Sequence, residues 1–490
     1  MDYISTRSKN SGSYKGASVI KQGLAPDGGL FVPENIPALT QDDMKKLLDA
    51  DYTERAAFIL SKFFDDYTYE ELKSAAESAY GNGKFPVPPA PISKVGKRYF
   101  LELWHGPTSA FKDMALQIMP IMLSLALKKT GEDRRARILV ATSGDTGKAA
   151  LEGFADVENV EISVFYPAFG VSNIQKKQMA SQKGKNVNVY AIRGNFDDAQ
   201  NGVKMIFSDP ETREKLDKKG VFLSSANSIN WGRLAPQIVY YVSAYLDLVK
   251  EKEIKMGDIL DVTVPTGNFG NILACFIAKK MGLPIEKLVC ASNMNNILTD
   301  FLTTGEYDRN RRFYTTVSPS MDILISSNLE RLIYFFTDAC RTKEYMDSLA
   351  KTGKYRIDED TLLKIKEYFA CGFCDEENTK KTIKKYFSKY GYLCDTHTAV
   401  AANVADGYIE KTGSETPMLV VSTASPYKFA PAVLSSLGEE VPKDDFEALN
   451  KLFETTKCVI PKNLSELSEK EDRFKEIISP SEMKEKIISQ

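Results

Sequence analysis

Residues 98–113 read RYFLELWHGPTSAFKD, and the placement of Lys112 within them decides how the rest of the chain is read. Tyr99, Leu101 and Leu103 recur with the two-residue period of a strand that turns one face to a core. Gly106 and Pro107 interrupt it with a turn, and Thr108 and Ser109 offer a cap to the helix that follows. That helix, MALQIMPIMLSLAL over 114–127, is apolar on nearly every face and so belongs in a core. Lys112 therefore stands on the first turn of a helix about to be buried. The positive end of the helix and the loss of water both disfavour an ammonium there, and both favour a neutral, nucleophilic amine. The ordinary alternative is a lysine that carries its charge to solvent past a buried stem.

At 490 residues the chain exceeds one ordinary core, and two or three lobes are expected. Lys and Arg total 64 against 66 Asp and Glu, a net charge of −2. This argues against nucleic-acid affinity through a broad basic field while leaving room for a local anion site. The seven cysteines are scattered and the opening MDYISTRSKNSGSYKG lacks an apolar signal core, so a reducing cytoplasm is the expected compartment. No window reaches the ~18 apolar residues of a membrane span.

Residues 40–82 carry charged helical periodicity, and the proline-rich FPVPPAPI at 85–92 marks a boundary. We expect a helical N-terminal region over 1–95, a small α/β lobe with the lysine over 96–235, and a large α/β lobe over 236–490 with a helical insertion at about 300–390. From 137 onward strand-like and helix-like stretches alternate, which predicts parallel sheets with ligands at the carboxyl ends of their strands.

The remaining motifs fall at such ends. Thr142-Ser143-Gly144-Asp145-Thr146 follows ILVA and opens a helix, where free N–H groups favour an anion. Gly147-Lys148 is no P-loop, because Thr142 stands where its first glycine belongs and Ala149 replaces the Ser or Thr that holds magnesium. By its local wording an ordinary capped turn explains the stretch equally well. SSANSINWGR at 224–233 gathers neutral donors with one arginine, the set that suits a phosphate ester, although a loop with an N-cap uses Asn and Ser too. Gly267-Asn-Phe-Gly-Asn271 follows a β-branched strand and opens another helix; its glycines let backbone approach a phosphate. Thr423 ends the strand LVVS. Cys371 and Cys374 are spaced CxxC without further ligands at metal spacing, and His105 and His397 are the only histidines, so neither a metal site nor a histidine triad is expected.

HGPTSAFKD, TSGDTG, SSANSINWGR and PTGNFGN resemble the corresponding motifs of threonine synthases, fold type II (tryptophan-synthase-β-like) enzymes that use pyridoxal phosphate. The openings YISTR at 3–7 and APDGGLFVPE at 25–34 resemble the microbial and fungal type. The resemblance implies a two-lobed α/β fold with pyridoxal 5′-phosphate joined to Lys112, which would also move protons on the substrate. It places Gly267, Asn268, Phe269, Gly270 and Asn271 at the cofactor phosphate and Thr423 at the pyridine nitrogen. Asp145 falls at the ring oxygen, where the wider group commonly has asparagine. Thr142, Ser143 and Thr146 would face the substrate carboxylate, and Asn227, Ser228 and Arg233 its phosphate. The implied reaction turns O-phospho-L-homoserine and water into L-threonine and phosphate, in a cytoplasmic monomer without metal. A related lyase releasing 2-oxobutyrate, or a silent homologue acting as a binding protein, would carry similar motifs.

Overall fold

The computed structural model describes residues 1–8, 12–142, 144–169 and 171–490. Three short helices, Gln41–Leu47, Tyr52–Phe63 and Tyr69–Tyr80, follow a first one at Gly16–Gln22. Each of the three begins in a capping box set by Thr40, Asp51 or Thr68, which satisfies two N–H groups that the first turn leaves free. Tyr52–Phe63 packs on the long helix Trp231–Lys250. Ahead of them, Tyr3–Ser5 pairs antiparallel with Phe31–Pro33.

Two large sheets follow, beside a small antiparallel pair of Glu306–Asp308 with Lys354–Arg356. One has six strands in the order Phe369–Phe373, Ile285–Ser292, Leu260–Pro265, Met418–Ser422, Arg98–Glu102, Ile92–Val95, parallel except for the final hairpin pair. The other has five, in the order Ile477–Ile478, Val187–Ile192, Val160–Pro167, Arg135–Ala141, Val221–Ser224, parallel throughout. Helices cover their faces, as parallel strands buried on both sides require.

Sheet membership crosses the expected limits at 95 and 235. Arg98–Glu102, with Phe100 and Leu101 fully buried on opposite faces, needs cover on both sides and finds it beside Met418–Ser422 in the six-stranded sheet. The segment 300–390 is helical for most of its length, yet it supplies the edge strand Phe369–Phe373. The charged C-terminal segment also enters the fold: Ile477–Ile478 extends the five-stranded sheet, and Leu452, Leu464, Met483 and Ile487 are buried.

The helix after Lys112 departs from expectation in two ways. It breaks into Asp113–Leu116 and Met119–Lys129, because the Pro120 ring cannot sit over the carbonyl four residues back. Thr108 and Ser109 do not cap it. The Asp113 carboxylate instead accepts the N–H of Thr108 at 2.8 Å and its hydroxyl at 2.6 Å, while Ser109, at φ 57°, donates to Asn463 at 2.9 Å. The helix of His397 is likewise capped by Asp395 rather than by a neighbouring threonine. No helix of the described residues is long and apolar enough to cross a membrane.

Candidate active site

The strands Arg135–Ala141, Val221–Ser224, Leu260–Pro265 and Met418–Ser422 all point their carboxyl ends at one cavity of about 2170 Å³. Lys112, Thr142, Asp145, Thr146, Asn227, Ser228, Arg233, Gly267 through Asn271 and Thr423 line it together. Ser143 lies outside the described residues.

Lys112 projects from the residue just before its helix, and its side chain is 10% exposed. Its Nζ donates to the Ser320 hydroxyl at 3.2 Å and stands 3.8 Å from Asp145 Oδ2. Burial lowers its pKa to about 8, with Lys428 and Arg233 pushing the same way against the pull of Asp145. Asp145 is buried on the first turn of its helix, and its Oδ1 meets Lys428 Nζ at 2.6 Å and Gln175 Nε2 at 2.9 Å. Burial pulls its carboxyl upward, but Lys428 and Lys112 prevail and hold it well below the ordinary range.

The loop after Leu260–Pro265 is anchored from behind. Phe269 adopts a left-handed φ of 62° as it enters the helix Gly270–Met281. A Cβ on Gly267 would lie 2.6 Å from the Ser320 carbonyl, so only glycine lets the two loops meet. The Asn268 carbonyl accepts the N–H of Asn328 at 3.1 Å and its Nδ2 at 3.0 Å. Asn271 Oδ1 accepts both the Tyr240 hydroxyl, at 2.7 Å, and the Tyr241 hydroxyl, which leaves its buried Nδ2 without a partner. An orphaned donor beside a helix N-terminus on a cavity wall is suited to an anion.

Arg233 is buried at 7% exposure, and its one side-chain bond goes to the Ala226 carbonyl at 3.0 Å. No carboxylate pairs with it among the described residues, and burial lowers its pKa to about 10. Thr142, by contrast, spends its hydroxyl inside its own loop, accepting the N–H groups of Gly144 and Gly147 at 3.0 Å each. It shapes the turn. Asn227 is exposed, and Ser228 gives its carbonyl to Asn328.

Sequence reasoning missed Lys428, Gln175, Ser320 and Asn463. A lysine five residues past the strand-end Thr423, in an otherwise apolar SPYKFAPAV, is the signal that was there to be read. The STR stretch also gains a purpose. Thr6 and Arg7 grip Glu330, with Arg7 forming two parallel bonds at 2.8 and 2.7 Å, and so fix the helix that Asn328 leads.

Three family descriptions match in succession: Threonine synthase N terminus over 2–80, Pyridoxal-phosphate dependent enzyme over 81–424, and Threonine synthase, C-terminal over 398–488. The chain belongs to the threonine synthase family of pyridoxal-phosphate-dependent enzymes. It is 36% identical over 478 residues to threonine synthase of Pseudomonas aeruginosa, covering 96% of this chain and 95% of that one. It is 41% identical over 456 residues to human threonine synthase-like 1, covering 89% of this chain; the chain spans 60% of the length of that protein. Among solved structures, PLP-bound threonine synthase from Brucella melitensis superposes with a TM-score of 0.89 at 37% identity, covering 100% of this chain and 99% of that one. The yeast threonine synthase structure gives 0.89 at 33% identity, with 99% and 98% covered.

The two-lobed architecture is that of fold type II, and the family's cofactor is pyridoxal 5′-phosphate. The cavity fits it: a lysine amine disposed to lose its proton, a glycine-bearing loop with an orphaned amide at a helix N-terminus, and a threonine at the end of a central strand.

Proposed function

We propose that this protein is a threonine synthase, converting O-phospho-L-homoserine and water into L-threonine and phosphate. The observation that carries the reading is Arg233: a buried guanidinium without an acidic partner among the described residues, on the same cavity as Lys112 and on a different helix from the one the Gly267–Asn271 loop opens. One anion site serves the cofactor's phosphate, and a second calls for a substrate with a phosphate of its own.

Bound pyridoxal phosphate supplies the electron sink for carbanion chemistry at the substrate. The chain supplies the rest. Lys112 would hold the cofactor through its amine, and that amine would take and return protons at the substrate carbons. Its lowered proton affinity suits both tasks near neutral pH. Gly267 to Asn271 would hold the cofactor phosphate and Thr423 the pyridine nitrogen. Thr146, at the head of its helix, faces the substrate carboxylate, with Thr142 shaping the loop beneath it. Arg233, Asn227 and Ser228 hold the substrate phosphate and orient it for departure. All seven cysteines are free thiols, in keeping with a reducing cytoplasm.

Incubation of the purified, cofactor-loaded protein with O-phospho-L-homoserine tests this directly. Phosphate and threonine should appear in equal amounts. Release of 2-oxobutyrate with phosphate would make the protein a phospho-amino-acid lyase that yields a keto acid, and no turnover by a protein that takes up cofactor would make it a binding homologue.

A further inference from the structure

Lys428 occupies the short 3-10 turn Pro426–Phe429 that follows Thr423, and its side chain is fully buried. Two of its three ammonium hydrogens are placed: one on Asp145 Oδ1 at 2.6 Å, one on the Thr108 carbonyl at 2.9 Å. It thereby ties together three segments distant in sequence: the turn after a central strand, the head of the Asp145 helix, and the loop that delivers Lys112. The third hydrogen has no acceptor among the described residues, and the side chain lies on the cavity wall.

Asp145 cannot do what an asparagine at this position would do. Its Oδ1 is taken by Lys428 and Gln175, its Oδ2 faces Lys112 at 3.8 Å, and a carboxylate set between two lysines stays ionised. It has no proton to offer an anionic oxygen, and two anionic oxygens side by side would repel. A positively charged donor must stand between them.

Resting on the reading of the site as a pyridoxal-phosphate centre, we infer that Lys428 is that donor: its free N–H serves the ring oxygen of the cofactor, while its charge balances Asp145 beside Lys112. Asp145 is then a bracket for two lysines. Removing Lys428 leaves burial and Arg233 alone to oppose the pull of Asp145 and Asp113 on Lys112, so the Lys112 nitrogen should hold its proton to higher pH. Removing the Asp145 charge should do the reverse.

The test uses Lys428→Met, Lys428→Gln and Asp145→Asn with two readouts. The first is the pH midpoint of the cofactor's visible absorption in the loaded enzyme without substrate. The second is the pH dependence of Lys112 labelling by a small amine reagent in cofactor-free protein, located by peptide mapping. Both Lys428 variants should move both midpoints up by about one pH unit, and Asp145→Asn should move them down. Lys428→Gln keeps a donor for the Thr108 carbonyl and serves if the methionine variant does not fold. Unchanged midpoints with reduced thermal stability would make Lys428 a structural tie and overturn the inference. A wild-type protein that acquires no visible band, and no borohydride-fixed cofactor on Lys112, would instead defeat the reading of the site, with the labelling arm still reporting on Lys428.

Discussion

The Nε2 atom of His397 accepts the backbone N–H of Ser320 at 3.1 Å, and the Ser320 hydroxyl accepts a hydrogen from Lys112 at 3.2 Å. Since Nε2 accepts, the ring proton sits on Nδ1, bonded to the buried Asp395 carboxylate at 2.6 Å. His397 thus fixes the loop whose Ser320 hydroxyl meets Lys112, without reaching the lysine itself. His397→Asn can replace the bond to Asp395 but offers nothing to Ser320. Its stability should fall by no more than ~1 kcal/mol, with cofactor retained and kcat lowered about tenfold. His397→Ala deprives a buried carboxylate of a donor and should cost ~2–3 kcal/mol. Urea melts beside steady-state kinetics separate the two, and an Asn variant with full kcat would remove His397 from the positioning of Lys112.

Arg233 gives the sharpest kinetic prediction. Its guanidinium pairs with no acid among the described residues, so truncation leaves no buried carboxylate behind and should not unfold the protein. Arg233→Ala should lower kcat/KM for O-phospho-L-homoserine by about 30-fold or more, the ~2 kcal/mol of a lost charge-assisted hydrogen bond. Its cofactor absorption should match the wild type. Arg233→Lys keeps the charge but not the planar fork, and its loss should be smaller.

Much of the site was legible in the sequence because it sits in short continuous motifs, each at the end of a strand or the head of a helix. Lys112, Asp145, Gly267–Asn271 and Thr423 all line one cavity, and alternating strand and helix patterns fit the observed parallel sheets. What the sequence could not reveal is pairing across long separations. The bond from Asn463 to Ser109 spans 354 residues and that from Lys428 to Thr108 spans 320; neither partner has a local pattern that names the other. The same holds for Arg98–Glu102, whose sheet is decided by Met418–Ser422. Hydroxyl-rich motifs are ambiguous for a different reason. Thr142 reads as a ligand, yet its hydroxyl is consumed by its own loop, a use that Thr serves as readily.

Tyr240 and Tyr241 decide which way the Asn271 amide points. Both hydroxyls donate to Oδ1, so the buried Nδ2 is the group left without a partner. Either Tyr→Phe change alone leaves one donor and should weaken cofactor affinity only slightly. The double change frees the amide to turn its oxygen toward the phosphate and should raise the cofactor Kd about tenfold, ~1.4 kcal/mol. Titration of cofactor-free protein, followed by visible absorption, measures this. Equal affinities for double mutant and wild type would take Asn271 out of the phosphate site.

The lysine at the centre of the site should also leave a mark on stability in the absence of cofactor. Its pKa is about 8 in the folded chain and 10.5 in an unfolded one. Between those values the unfolded chain binds the proton that the folded chain has released, so stability rises with pH across that window. Below pH 8 both states carry the charge, and the folded state bears the whole cost of burying it. Lys112→Met removes that cost. The cofactor-free variant should be more stable than wild type at pH 7, by on the order of 3 kcal/mol. The difference should shrink steadily as the pH is raised from about 8 toward 10. Urea denaturation of both proteins at pH 7, 8 and 9.5 provides the comparison, and a gap that does not change with pH would mean that burial leaves the Lys112 ammonium unperturbed.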